Sequence, residues 1–246
     1  MRYKITIEYD GTNLVGWQKQ KDGASVQEFL EKAVAGFSHQ QVEIFGAGRT
    51  DAGVHALGQV AHFDLDSRLS EYKMQESLNA LLRELQAPVA VLKTEIVDEN
   101  FHARFSAVGR GYIYRILNRR GASPLRINRV WQVTYPLNLE AMRKGSSCLL
   151  GNHDFSSFRG SGCQALSPVK TLDKLDIEQH GDEIIFTVEA RSFIYHQVRN
   201  MVGTLAEVGS GKLAPEDVKR ILEARDRTQA GISAPAYGLY LNKVMY

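Results

Sequence analysis

Between Gly46 and Phe63 the chain sets a guanidinium, a carboxylate and an imidazole close together, on Arg49, Asp51 and His55. Such a grouping is the wrong chemistry for an ordinary connection and suits a catalytic loop. The competing chemistry is hydrolysis by paired carboxylates, which needs a second acid beside the first. Arg49–His55 offers none besides Asp51, so a distant residue would have to fold in. Taken alone, Asp51-Ala52-Gly53 reads as a turn, with Asp bonding its own backbone and Gly at positive φ. Gly46, Gly48, Gly53 and Gly58 make the stretch permissive to a close-approaching ligand or second backbone.

Elements on both sides must hold this stretch. Val42–Phe45 and Gln59–Phe63 read as strands, the second alternating apolar with polar, so the loop is expected at the rim of a sheet. Tyr3–Tyr9 alternates as a half-buried strand that Asp10-Gly11-Thr12-Asn13 stops. Asp10-Gly11-Thr12 would suit an aspartyl-phosphate hydrolase of the haloacid-dehalogenase type only with Asp two positions earlier. That position is Glu8, which rejects the reading. Ser25 is placed as a helix N-cap with Glu28 at the capping-box spacing, ahead of the stripe Val26, Phe29, Leu30, Ala33, Val34 and Phe37. Met74, Leu78, Leu81 and Leu82 predict a second helix, and Val89–Leu92 a buried strand.

The second half repeats strands and helices. Arg110–Leu117 alternates as a strand with Tyr112 and Tyr114 on one face. Leu139, Met142, Cys148 and Leu149 predict a helix, Gly151–Phe158 a loop, and Leu172–Ile177 with Ile184–Val188 a pair of strands around Gly181-Asp182. His153-Asp154 has no further ligand at helical or hairpin spacing, so no metal is expected. From Phe193 onward Ile194, Val198, Met201, Val202, Leu205 and Val208 form a helical stripe. Arg199 lies beside that stripe, which favours a partly buried guanidinium with a fixed anionic partner, while a solvated face is the default reading for a helix arginine. Gly238–Leu241 reads as a closing strand.

Composition is that of an ordinary globular chain of 246 residues. Met1–Glu8 lacks the apolar core of a signal peptide and no apolar run reaches membrane-spanning length. Cys148 and Cys163 belong to no Cys-x-x-Cys pair, so a reduced, cytoplasmic protein is expected. The net charge of +2 hides an uneven distribution. Asn100–Leu139 contains no acid but holds Arg104, Arg110, Arg115, Arg119, Arg120, Arg126 and Arg129, a local +7 that leaves −5 for the rest. Phe101, Phe105, Tyr112, Tyr114, Trp131 and Tyr135 are interleaved with them. Arginines among aromatics suit RNA, read by backbone charge and base stacking, and a solvated basic strand face is the plainer alternative. No nucleotide or dinucleotide fingerprint follows Gly46-Ala47-Gly48, and no cofactor is expected.

Arg49-Thr50-Asp51-Ala52-Gly53-Val54-His55 resembles the signature of the TruA-type tRNA pseudouridine synthases. So do Gly16-Trp17-Gln18 with Ser25-Val26-Gln27, Phe101–Ala107 followed by Arg110-x-Tyr112-x-Tyr114, and Arg199-Asn200-Met201-Val202-Gly203. Ala56, where many members have Gly, and Gly46, where others carry a larger residue, depart from the pattern. The resemblance implies an α+β fold of two similar α/β halves, 1–105 and 106–246, whose mainly antiparallel sheets join, with a basic cleft between them. It implies a homodimer acting on tRNA at positions 38, 39 and 40 of the anticodon stem-loop. Asp51 falls at the nucleophile's place, Arg199 at that of its paired cation, and Tyr112 at that of the tyrosine stacking on the target base. Arg49 falls where a residue fills the space of the flipped nucleotide, and Arg110 and His55 are expected to contact the substrate. A non-catalytic RNA-binding module would explain the arginines but leave Asp51 and Arg199 without a task.

Overall fold

Alternating burial of Tyr3, Ile5, Ile7 and Tyr9 builds the first strand, β1 (Arg2–Tyr9), in the computed structural model, which describes residues 1–246. The chain divides into two units, Met1–Val108 with Tyr240–Tyr246, and Gly109–Leu239. Five α-helices and mixed, mainly antiparallel strands make the fold α+β.

In the first unit, Ser25 caps α1 (Val26–Ser38), its hydroxyl accepting from the Glu28 amide at 3.2 Å. The Glu28 carboxylate pairs with Lys32 at 2.7 Å, a turn along the same helix. A short strand, β2 (Phe45–Gly46), precedes β3 (His55–Asp64). After α2 (Glu71–Glu84) comes β4 (Val89–Val97). β1 is the middle strand, antiparallel to β3 and β4, with Tyr3 opposite Phe63 and their rings stacked at 5.7 Å. α1 packs on α2, and α2 on β4, through Leu30, Ala33, Met74, Leu78 and Leu82. Three expectations change here. Val42–Ile44 stays outside the ladder, and only Phe45 and Gly46 pair with β3. β3 begins at His55, four residues before the alternation becomes visible, because His55 and Ala56 are both buried and break the period of two. β4 runs to Val97 with Leu92 exposed, so it is half-buried rather than buried.

The second unit is built on the antiparallel order β5 (Gly109–Asn118), β9 (Glu183–Ala190), β8 (Val169–His180) and β7 (Gly151–Asp154). A short β6 (Trp131–Val133) runs parallel to β5. Three helices complete it: α3 (Leu139–Ser146), α4 (Gln197–Gly209) and α5 (Asp217–Ala224). α3 stops at Ser146, and Cys148 and Leu149 fall in the 3-10 turn that follows. The expected loop at Gly151–Phe158 is instead β7 and a 3-10 turn. Four polar or glycine residues hide that edge strand from a periodicity reading. α4 starts at Gln197 and is buried on nearly every side. The last strand, β10 (Leu239–Met245), runs parallel to β3 in the first unit, with Tyr240 opposite His55.

His62 on β3 is 2% exposed, and its Nδ1 accepts from the Ala103 amide at 3.2 Å. Burial, helped by His102, holds the ring at about 4 against an ordinary 6.5. The folded ring stays neutral where the unfolded one is already protonated. Its contribution is therefore complete above pH 6.5 and is lost as pH falls toward 4, by at most about 1.4 kcal/mol per pH unit. His62→Gln should flatten the fall of urea-unfolding stability across that window, and an unchanged slope would assign the acid sensitivity elsewhere.

Candidate active site

The segment Ala47–Val54 connects β2 to β3 and is fastened along its backbone. The Ala47 amide donates to the Val60 carbonyl at 2.7 Å, and Gln59, fully buried on β3, donates from Nε2 to the Gly48 carbonyl at 2.7 Å. Thr50 is buried, its hydroxyl 2.7 Å from the Tyr9 phenol and its carbonyl accepting from the Trp17 amide at 3.1 Å. The Val54 amide donates to the Asp51 carbonyl at 3.1 Å, closing a β-turn with Gly53 third at φ 79°. That position of a type II turn demands positive φ, which glycine takes without strain. With Thr50 and Val54 turned inward, Arg49 and Ala52 are exposed and Asp51 is half-buried. No hydrogen bond or ion pair engages the Arg49 guanidinium.

His55 sits beneath this turn as the first residue of β3, 2% exposed, its ring stacked on Tyr240 at 4.7 Å. Its Nδ1 lies 3.0 Å from the Gly11 amide and 3.1 Å from Asp10 Oδ1. That one nitrogen accepts from Gly11 when unprotonated and donates to Asp10 when protonated. Asp10-Gly11, rejected above as a hydrolase motif, thus seats the exit of the Asp51 turn. Gly46 also finds its reason: a Cβ there would come 2.5 Å from Trp17 Cε2, so the indole occupies the room a larger residue would need.

In the second unit, Arg199 is held in place by the backbone of residue 234. Its Nε donates to the Ala234 carbonyl at 2.7 Å, while the Ala234 amide donates back to the Arg199 carbonyl at 3.1 Å. Nη1 lies 3.0 Å from His196 Nε2, and that ring stacks on Tyr195 at 3.8 Å. The 227–234 strap is itself bound to α4. Arg227 reaches the Ala230 and Gly231 carbonyls and Asn200 Oδ1, and the Gly231 amide donates to the Thr204 hydroxyl at 3.0 Å. A Cβ on Gly203 would stand 1.8 Å from the Ile232 carbonyl oxygen, so the strap crosses α4 where only glycine fits.

Tyr112 and Tyr114 on β5 differ in access. Tyr112 is half-buried, edge-on to Phe193 at 5.1 Å. Tyr114 is fully buried and donates to the Pro235 carbonyl at 2.8 Å. Burial, then Tyr237, pushes its phenol well above the ordinary range, against a smaller opposing pull from Arg199. Arg110 donates to the Arg191 carbonyl at 2.9 Å. Several charges of the acid-free segment are answered locally: Arg115 and Arg126 both meet Glu183, at 2.8 and 2.6 Å, and Arg119 meets Asp182 at 3.2 Å. His153 Nε2 lies 2.7 Å from the Leu150 carbonyl, and Asp154 caps Ser156.

A family model described as tRNA pseudouridine synthase matches residues 5–106 and 146–246. The chain belongs to this family. Its members are isomerases that convert uridine to pseudouridine in tRNA. The chain is 55% identical over 245 residues to a tRNA pseudouridine synthase A of Paramagnetospirillum magneticum, covering 100% of this chain and 95% of that one. It is 53% identical to that of Rhodospirillum centenum, over 100% and 99%, and 50% identical to that of Ehrlichia chaffeensis, over 100% of each. A chain of a solved Cbf5-Nop10-Gar1 complex aligns at 11% identity with a TM-score of 0.37, over 83% of this chain and 44% of that one. Of the residues singled out from sequence, Arg49, Asp51 and His55 are in the first unit, and Arg110, Tyr112 and Arg199 in the second. Tyr9, Gln59, Asn200 and Arg227, which fasten the family's motifs, were not singled out. Only Asn200 carried a signal, as the neighbour of Arg199 in its block.

Gly203→Ala should push the strap away from α4 and release Arg199 from Ala234, lowering unfolding stability by about 2 kcal/mol or more. Urea unfolding measures it. A loss below about 0.5 kcal/mol would show that the strap moves aside freely.

Proposed function

We propose that this chain isomerises uridine to pseudouridine at positions 38, 39 and 40 of the tRNA anticodon stem-loop, with Asp51 as nucleophile. The observation that carries the reading is the half-buried Asp51 carboxylate, on a turn pinned by β1 and β3, at the nucleophile's place in the family signature. The reaction breaks the bond from N1 to ribose C1′ and forms one from C5, without redox change. Asp51 attacks either C1′ or uracil C6, and both routes begin from the ionised carboxylate. Arg199 is its cation and fixes its direction. That pairing also blunts the oxygen, so positioning supplies much of the acceleration.

The target nucleotide must leave the stack, at a cost of a few kcal/mol. Arg49, exposed and unengaged, fills the vacated space; Tyr112 stacks on the flipped uracil and Arg110 contacts the backbone. His55, too buried to reach a nucleotide in this geometry, serves by holding the turn from beneath. A cytoplasmic homodimer belongs to the same proposal, supported by the family resemblance and, for a reducing compartment, by the unpaired Cys148 and Cys163.

Tritium release from C5-labelled uridine in tRNA tests the assignment. Asp51→Asn should abolish release while tRNA binding and unfolding stability persist; wild-type turnover in that variant would refute the role. Binding without release by the intact protein would instead identify a non-catalytic RNA-binding module. Arg49→Ala should reduce turnover more than affinity, and a loss of affinity alone would contradict the flipping role. Affinity should fall steeply with added salt, and a flat response would remove phosphate contacts from the account.

A further inference from the structure

The first unit carries a row of aromatic rings that the proposed chemistry leaves unused. Phe45 stacks on His62 at 5.2 Å, His62 meets His102 at 4.6 Å, and His102 meets Phe105 at 4.4 Å. The row runs outward from buried His62 to Phe105, which is 76% exposed. Exposure here does not mean looseness. His102 Nδ1 accepts the Arg104 amide at 3.1 Å and the Phe105 amide at 3.4 Å. The His102 amide donates to the Ser106 hydroxyl at 3.0 Å, and the Ser106 amide to the His102 carbonyl at 2.9 Å. A large apolar ring is therefore held out into water on a closed, hydrogen-bonded turn.

We propose that Phe105, backed by His102 and bordered by Arg104, is a stacking platform for an unpaired base of the tRNA substrate. The proposal rests on the tRNA-modifying reading above. Charge favours RNA over an acidic or a purely apolar partner. Arg104 lies 5.6 Å from the ring centroid, where its guanidinium can meet a phosphate or supply a second flat surface. No acid occurs from Asn100 to Leu139. Burial holds the His102 imidazole below its ordinary range, assisted by Arg2 and Arg104, so the row is uncharged at neutral pH. Aromatic rings without fixed hydrogen-bond donors take any base by its π-face, which suits a contact that tolerates sequence.

The test is equilibrium binding of an unmodified tRNA transcript, and of a fully paired RNA duplex, by the full chain in an Asp51→Ala background. Phe105→Ala and Phe105→Leu should each weaken tRNA binding about tenfold, Phe105→Trp should retain it, and duplex binding should change less than about twofold in all three. The leucine variant separates a π-surface from mere apolar area, and the exposure of Phe105 leaves the fold intact. Equal losses on tRNA and duplex would overturn the platform. So would wild-type tRNA affinity in Phe105→Ala, including the case where only its sedimentation changes, which would make this face a contact between copies. In either case tritium release by the wild-type chain would leave the synthase reading standing. Absence of both binding and release in the wild-type chain would remove both.

Discussion

The role proposed for Asp51 needs a carboxylate whose direction is fixed before the substrate arrives, and in this chain the Ala47–Val54 backbone is fastened along its length. Each residue left free would cost about 1–2 kcal/mol to order at the moment of reaction. Here the ordering is complete in the folded state. Gln59 and Val60 hold the entrance, Tyr9 and Trp17 hold Thr50, and the Gly53 turn closes the exit over His55. The partners of the loop are drawn from β1, the segment after it and β3, so the sheet beneath fastens it at several points. The backbone at Asp51 is set by its surroundings, because Thr50 before it and Val54 at the end of the turn both face inward.

Arg199 is directed by the same device from different parts. Its helix is buried almost all round, an unusual setting for a guanidinium, and the 227–234 strap supplies the Ala234 carbonyl as acceptor for its Nε. A carbonyl satisfies the Nε proton and sets the plane of the group without neutralising its charge. The buried polar residues of α4 follow from this. Asn200 and Thr204 would be costly in an apolar helix, but each is bonded to the strap or to the Phe158 carbonyl, so their desolvation is offset where the strap must be fixed.

Much of this was legible in the sequence. The alternation of Tyr3–Tyr9, the Ser25 cap and the stripes of α1, α2 and α4 are local patterns, and they produced the elements they predict. The motif around Asp51 was legible too, since Gly53 and the inward Thr50 sit beside it in sequence. The illegible parts depend on distant partners. β7 hides in Gly151-Asn152-His153-Asp154 because an edge strand takes its conformation from β8 rather than from its own alternation. Gln59 reads as one polar position of a strand, and only the fold shows that it bonds the Gly48 carbonyl. His55 reads as a loop residue expected to contact substrate, whereas the pairing of β10 with β3 lays Tyr240 over it.

The arginine-rich segment shows how a count of charges can mislead about recognition. Seven arginines between Asn100 and Leu139 suggest as many phosphate contacts, yet Arg115, Arg119 and Arg126 face Glu183 and Asp182 at the turn between β8 and β9. Exposed ion pairs contribute little to stability, about 0–1 kcal/mol. Glu183 is buried, however, and leaving it without a partner would be expensive, so Arg115 and Arg126 are committed to the fold. Such guanidiniums still project a positive field, but they cannot turn toward a phosphate without abandoning the carboxylate. Net affinity for RNA must then draw on arginines that are not so committed, such as exposed Arg49 and Arg120, and on flat surfaces that need no charge. A fold that ties its cations internally gives up some non-specific attraction to any polyanion.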